Sequence, residues 1–254
     1  MVFPSFGSEG AVELHATPVA GVDHSPFDAL LAKYVDDRGR VAYAEWKASP
    51  ADVSSLHDYL AALGRADPHA PAPRAAVFAF WINAYNAITL AAVLHLYPTA
   101  SIRDHAGRVF GFNVWKDVKL HVGGRALSLD DIEHGILRLM GEPRIHFALV
   151  CASNGCPALR PAAYTPDGVD VELEANARAF FERPDSLRGD PDARTVALSE
   201  LFKWYGADFA DAPAARLAAL RRFFPATGEW DWLDQGDVRV EYLPYDWKLN
   251  DQRG

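Results

Sequence analysis

Apolar residues recur along most of the chain at helical spacing. Phe27, Leu30, Leu31 and Tyr34 lie on one predicted helix face. Ser25-Pro26 and Asp28 begin that helix with a hydroxyl, a proline and an acid suited to its unpaired N–H groups, and Asp37-Arg38-Gly39 ends it. Residues 41–46 read as a short strand or extended piece, residues 54–63 as a second helix and the proline-rich stretch 68–73 as a loop. The longest helical pattern, 74–97, stops before Pro98. Its apolar residues cover every side, so it should be buried around most of its circumference. Asn83 and Asn86 interrupt it three residues apart, on one face.

Val118, Leu120 and Val122 alternate with Lys119 and His121, and Gly123-Gly124 turns them into a hairpin. Ser128, with Asp131 three residues on, then caps a helix whose apolar face is Leu129, Ile132, Ile136, Leu139 and Met140. On that helix Glu133 falls at the edge of the apolar face and His134 nearly opposite it. Further helices are predicted over 169–181, after Ser199 and over 213–224, and strands over 195–198 and 238–242. The sharpest change of pattern is IHFALVCASNGCPAL, residues 145–159, which holds both cysteines. Residues 145–150 read as a buried central strand, Ser153-Asn154-Gly155 as a tight turn, and Cys156-Pro157 as a helix start with proline in its first turn.

Helices outnumber strands, and the strands come as hairpins and isolated pieces without βαβ alternation. This predicts an α+β fold: a helix-rich single domain around a small, mainly antiparallel sheet with a buried central strand. Residues 1–24, rich in proline and glycine, read as an extended N-terminal arm, 25–250 as one globular domain and 251–254 as a tail. The 254 residues are 50% hydrophobic, enough for a substantial core. A net charge of −9 without a basic cluster argues against nucleic-acid binding. No unbroken apolar run reaches the roughly 18 residues of a membrane span, and the N-terminus lacks the pattern of a signal peptide. That reading places a complete chain in the cytoplasm, and in the periplasm or outside the cell if a leader has been removed.

Five stretches occur in order: FWINAYNAITL (80–90), LYPTASIRD (96–104), LSLDDIEHGILR (127–138), IHFALVCASNGCPALR (145–160) and YDWKLN (245–250). Together they resemble the domain-of-unknown-function family 547, found in bacteria and, fused to a leucine-zipper region, in plants. The resemblance runs over nearly the whole chain. It implies no activity, and it directs attention to Asn83, Asn86, Glu133, His134, His146, Cys151, Cys156, Asp246 and Asn250.

A thiol at a helix N-terminus is acidified by the dipole and the unpaired N–H groups, which favours Cys156 as a nucleophile over Cys151, expected to be packed in the core. No histidine follows His146, so a catalytic base must precede the cysteine; His146 is the first candidate and His134 the second. Glu133 or Asn83 would orient the imidazole. Asn86, Ser153, Asn154 and Gly155 are candidates for substrate binding, with the turn as the oxyanion site. The reading is a cysteine-dependent hydrolase or acyl transferase for an amide, thioester or peptide, with no cofactor and no metal. The alternatives are a noncatalytic domain that binds a peptide or protein, with Trp230 and Trp232 as contacts, and a thiol redox or zinc-binding protein using Cys151 and Cys156. The asparagine pair has a second reading too, as ties between the long helix and neighbouring backbone.

Overall fold

Helix-forming stretches wrap one central helix, and the strands form three small sheets at its flanks. The computed structural model describes residues 17–105, 113–227 and 230–253; residues 1–16 of the expected arm lie outside them. Strand β1 (Thr17–Pro18) leads into α1 (Ser25–Tyr34), α2 (Tyr43–Lys47) and α3 (Pro50–Gly64). Strand β2 (Ala66–Asp67), parallel to β1, precedes the long helix α4 (Arg74–Leu96). A short α5 (Val114–Asp117) and the hairpin of β3 (Lys119–Val122) and β4 (Arg125–Ser128) follow, then α6 (Leu129–Ile132). The remainder comprises α7 (Val169–Phe181), β5 (Leu187–Asp190), β6 (Thr195–Ser199), α8 (Leu201–Phe209), α9 (Pro213–Arg221) and β7 (Arg239–Leu243).

The fold is α+β, as expected, with two departures. First, the largest sheet is mixed: β6 pairs antiparallel with β5 and parallel with β7. The buried central strand is β6. Second, residues 41–46 are not a strand. Only Val41 makes bridges, to Val35 and Asp251, and Tyr43–Lys47 is helical because a helix places Tyr43 and Trp46 on one face, where both are fully buried.

Helix α4 is buried from Phe78 to Leu94 and forms the spine of the main core. It is long and apolar enough to cross a membrane, a property masked in the sequence by Asn83, Asn86 and Thr89, but 94% of its most apolar window lies inside the fold. A second core gathers α7, α8, α9 and the β5–β7 sheet around Phe147.

Residues 145–150 form no strand. Pro143–Phe147 is a 3-10 turn and the chain then runs on irregularly between the two cores. Phe147 enters the second core, where it meets Phe180, Phe181, Phe209 and Phe223, while Ile145, Ala148, Leu149 and Val150 enter the first. The apolar run that resembled a strand is therefore apolar because both its flanks are buried. Without a neighbouring strand its backbone needs other partners, and asparagines supply them. Asn86 donates to the Ala148 carbonyl at 3.0 Å and accepts from the Val150 N–H at 3.0 Å, and Asn176 donates to the Phe147 carbonyl at 2.9 Å.

The capping box at Ser128 and Asp131 forms as the spacing predicts. Beyond it the helix widens into a π-turn, Glu133–Leu137, and tightens into a 3-10 turn, Arg138–Met140. This change of period breaks the projected helix face. Leu139, expected inward, is 78% exposed, whereas Glu133 is buried and His134 exposed as the projection gives.

Candidate active site

The loop from Cys151 to Cys156 is pinned from two sides. Its second residue, Ala152, has φ 62°, a left-handed conformation that costs a residue with a Cβ roughly 1–2 kcal/mol. The C-terminal segment 245–250 supplies compensating hydrogen bonds: the Asn250 N–H donates to the Ala152 carbonyl, the Asn154 N–H to Lys248 and the Gly155 N–H to Asp246. Gly155 is required by this approach, since a Cβ there would lie 3.0 Å from the Asp246 nitrogen and from the Tyr245 ring. From the other side the Arg183 guanidinium donates to the carbonyls of Asn154 and Cys156, each at 2.6 Å. Held in this way, Cys156-Pro157 does not start a helix, and residues 156–160 are irregular. The dipole expected to acidify Cys156 is absent.

Side-chain and backbone donors take its place. The Cys156 sulfur accepts from the Cys151 N–H at 3.1 Å and from the Tyr245 hydroxyl at 3.1 Å, and the two free thiols meet at 2.6 Å. Tyr245 and Ser153 hydroxyls join at 2.9 Å, and the Ser153 hydroxyl lies 3.2 Å from the Cys151 sulfur. Burial pushes the Cys156 thiol up, but the hydrogen bonds from Cys151, Ser153 and Tyr245 and from the Cys151 N–H outweigh it and bring the group down to about 6. Cys151 moves well upward, through its hydrogen bond to Cys156 and then through burial. The directions of the two shifts favour the negative charge on Cys156 and the proton on Cys151. Cys151 is not the enclosed core thiol that was expected: it is only half-buried, whereas Cys156 is 5% exposed.

Both sulfurs border a cleft of about 590 Å³, which is also lined by Tyr85, Glu133, His134, His146, Trp204, Tyr205, Tyr245 and Trp247. His146 comes from the 3-10 turn. Its Nε2 pairs with Asp208 at 2.7 Å and its ring stacks on Tyr205 with centroids 4.2 Å apart. Arg138 grips the same Asp208 carboxylate with two bonds, of 2.7 and 2.6 Å. Burial pushes the His146 imidazole below its usual value, against the pull of Asp208. The Arg138 bonds, helped by His146, hold Asp208 down to about 2 despite partial burial. Among the described residues no hydrogen bond joins His146 to either thiol. His146 and the two cysteines line the same cleft.

Glu133 is 8% exposed and accepts from the Tyr85 hydroxyl at 3.2 Å; the Tyr205 hydroxyl is its other partner. His134 stands at the cleft's edge, with Arg138 Nη1 2.9 Å from its Nδ1 and Asp130 3.6 Å from its Nε2. Asn83 is outside the cleft lining; it donates to the Tyr164 carbonyl and accepts from the Tyr164 N–H. The structure thus brings Cys156, His146, His134 and Glu133 together and leaves Asn83 and Asn86 as clamps on neighbouring backbone. The turn lacks the free donors an oxyanion site needs. The N–H groups of Asn154, Gly155 and Cys156 all donate to carbonyls, of Lys248, Asp246 and Ser153. Ser153 and Asn154 line a separate groove behind the loop.

Several residues in or beside the cleft carry no local signal in the sequence. Tyr245 stood in the YDWKLN stretch, where its neighbour Asp246 drew the attention. Asp208, Arg138 and Tyr205 are placed beside His146 by the packing of α8, and no local spacing announces that. Trp230 packs against Phe224, and both Trp230 and Trp232 lie against the second core. Among the described residues no group of three His, Cys, Asp or Glu side chains is arranged to hold a metal ion.

No curated protein and no solved structure matches the chain. Residues 71–181, about 43% of the chain, match the family described as a protein of unknown function, DUF547. The matched region holds α4, the Glu133 turn, His146 and both cysteines, while YDWKLN and Asp208 lie beyond it.

Proposed function

We propose that the chain is a cysteine-dependent hydrolase or acyl transferase acting on an amide, thioester or peptide. The observation that carries this reading is the Cys156 sulfur, which accepts from the Cys151 N–H and the Tyr245 hydroxyl, in a residue on the wall of a cleft that His146, held by Asp208, also lines. With the thiolate already formed, no base is needed for the first step. The Cys156 sulfur attacks the carbonyl carbon, and collapse of the tetrahedral adduct expels the amine or thiol and leaves an acyl-cysteine. The Cys151 thiol, beside the reacting sulfur, is the nearest proton donor for the leaving group. His146, neutral because of burial and held by Asp208, then takes a proton from the water or acceptor nucleophile that releases the acyl group.

Incubation with an activated acetyl ester or thioester and peptide mass spectrometry tests this. An acetyl adduct on Cys156, accumulating in His146→Ala and absent in Cys156→Ser, is expected. A His146→Ala protein that never acquires the adduct would refute the reading.

A second reading, reversible dithiol–disulfide exchange, draws on the 2.6 Å approach of the two free sulfurs. Treatment with a small-molecule disulfide would then yield an internal bond and two equivalents of thiol, seen as a loss of about two mass units from the intact protein. A protein that stops at mixed disulfides argues for the hydrolase.

A further inference from the structure

The walls of the cleft carry aromatic rings and carboxylates beyond the Tyr245 hydroxyl that serves Cys156. Trp204, Tyr245 and Trp247 form a cluster with centroids 4.5 to 5.6 Å apart, and Trp204 at its edge is 43% exposed. Ring faces attract cations, and this cluster already engages one: the Arg103 guanidinium lies over Trp247 at 4.7 Å. Asp130, Glu133 and Glu200 also line the cleft.

Glu133 is the informative one of the three. It is more than nine-tenths buried, it borders the cleft, and its side-chain partners are the hydroxyls of Tyr85 and Tyr205. Among the described residues it makes no ion pair. A carboxylate removed from water normally finds a cation. The nearby cations, half-buried Arg138 and buried His146, hydrogen-bond to Asp208 and reach Glu133 only through longer-range charge attraction. Glu133 borders the cleft, where a ligand would enter.

We propose that the cleft takes a substrate bearing a primary ammonium group, seated against Glu133 and the aromatic rings while its carbonyl meets Cys156. This rests on the hydrolase reading for the word substrate and narrows its class to aminated acyl or peptidyl compounds. An ammonium gains from the ring faces and from the desolvated carboxylate together, although the lining also includes Arg103, His134 and His146.

Charged thiol reagents test the inference without any acyl transfer. The Cys156 thiolate attacks the sulfenyl sulfur of an alkyl methanethiosulfonate, an S–S bond forms, and methanesulfinate leaves with the electron pair. Rates are measured as loss of the first thiol and normalised to free cysteine. The aminoethyl reagent should then outpace the sulfonatoethyl reagent by roughly tenfold or more. The preference should persist at roughly 0.5 M salt, where the protein's overall negative field is screened, and should shrink several-fold in Glu133→Gln. A normalised ratio near one, or one indifferent to Glu133→Gln, overturns the proposal. If that variant does not fold, protection decides. Butylammonium should slow modification of wild-type protein by the neutral methyl reagent and butanol should not; equal protection by the two overturns the proposal. An acyl adduct without cation preference would sink this inference alone, and cation preference without an adduct would sink the hydrolase reading alone.

Discussion

At the scale of single residues, the acidity of Cys156 rests on donors that converge from well-separated parts of the chain. The Cys151 N–H belongs to the same loop, but Tyr245 reaches it from 89 positions away. Hydrogen bonds to a charged acceptor contribute roughly 1.5–3 kcal/mol, so Tyr245→Phe should raise the apparent pKa of Cys156 by about one to two units. The check is thiolate absorbance near 240 nm against pH. An unmoved titration would show that the Tyr245 hydroxyl does not support the charge. The sequence favours Cys156 over Cys151 through a helix dipole that the structure does not contain. The predicted helix start is a pinned loop, and hydrogen bonding replaces the dipole. Periodicity could not foresee this, because the pinning strand of chain, 245–250, lies far away in sequence.

At the scale of elements, the stretch 145–150 shows why a run of apolar residues is ambiguous. Burial on both flanks is what a central strand requires, and a segment wedged between two cores meets the same requirement with a different backbone. The discriminating signal was present in α4: a buried asparagine is costly unless it has a partner, and Asn86 finds its partners on the very segment misread as a strand. Asn86→Ala strands the Ala148 carbonyl and the Val150 N–H, at about 1–3 kcal/mol for each unpaired group. Urea unfolding should therefore reveal a loss of roughly 2–6 kcal/mol, with Asn83→Ala losing stability through Tyr164 in the same manner. Were either amide an active participant instead, its alanine variant would remain stable and lose only activity. By contrast α7 was legible in full: its buried residues Val169, Leu173, Ala177, Phe180 and Phe181 are those that helical spacing selects.

At the scale of the whole molecule, the network of Arg138, Asp208 and His146 ties the Glu133 turn, the 3-10 turn and α8 together, and it makes stability depend on pH. Asp208 is held at about 2, below its ordinary 3.8. Its contribution is complete above 3.8 and is lost as pH falls toward 2. His146 is also shifted downward, from 6.5; the unfolded chain therefore binds that proton more readily, and stability begins to fall as pH drops below 6.5. Urea midpoints across this range should decline in two stages. Asp208→Asn should flatten the stage between 3.8 and 2 while lowering the midpoint at neutral pH; superimposable profiles would contradict the network's role. The fold class and the location of the site were readable from composition, periodicity and the thiol-bearing motif. The aromatic and acidic walls were not, because they are assembled from α4, the Glu133 turn, α8 and the C-terminal segment, which meet only in the folded chain.

The central claim is that Cys156 carries a thiolate near neutral pH in that cleft. Iodoacetamide alkylation followed residue by residue with pH measures this directly. An apparent pKa near 6 for Cys156, with Cys151 reacting only at markedly higher pH, is the predicted result. A Cys156 titration at or above the ~8.5 of an ordinary thiol would contradict the account.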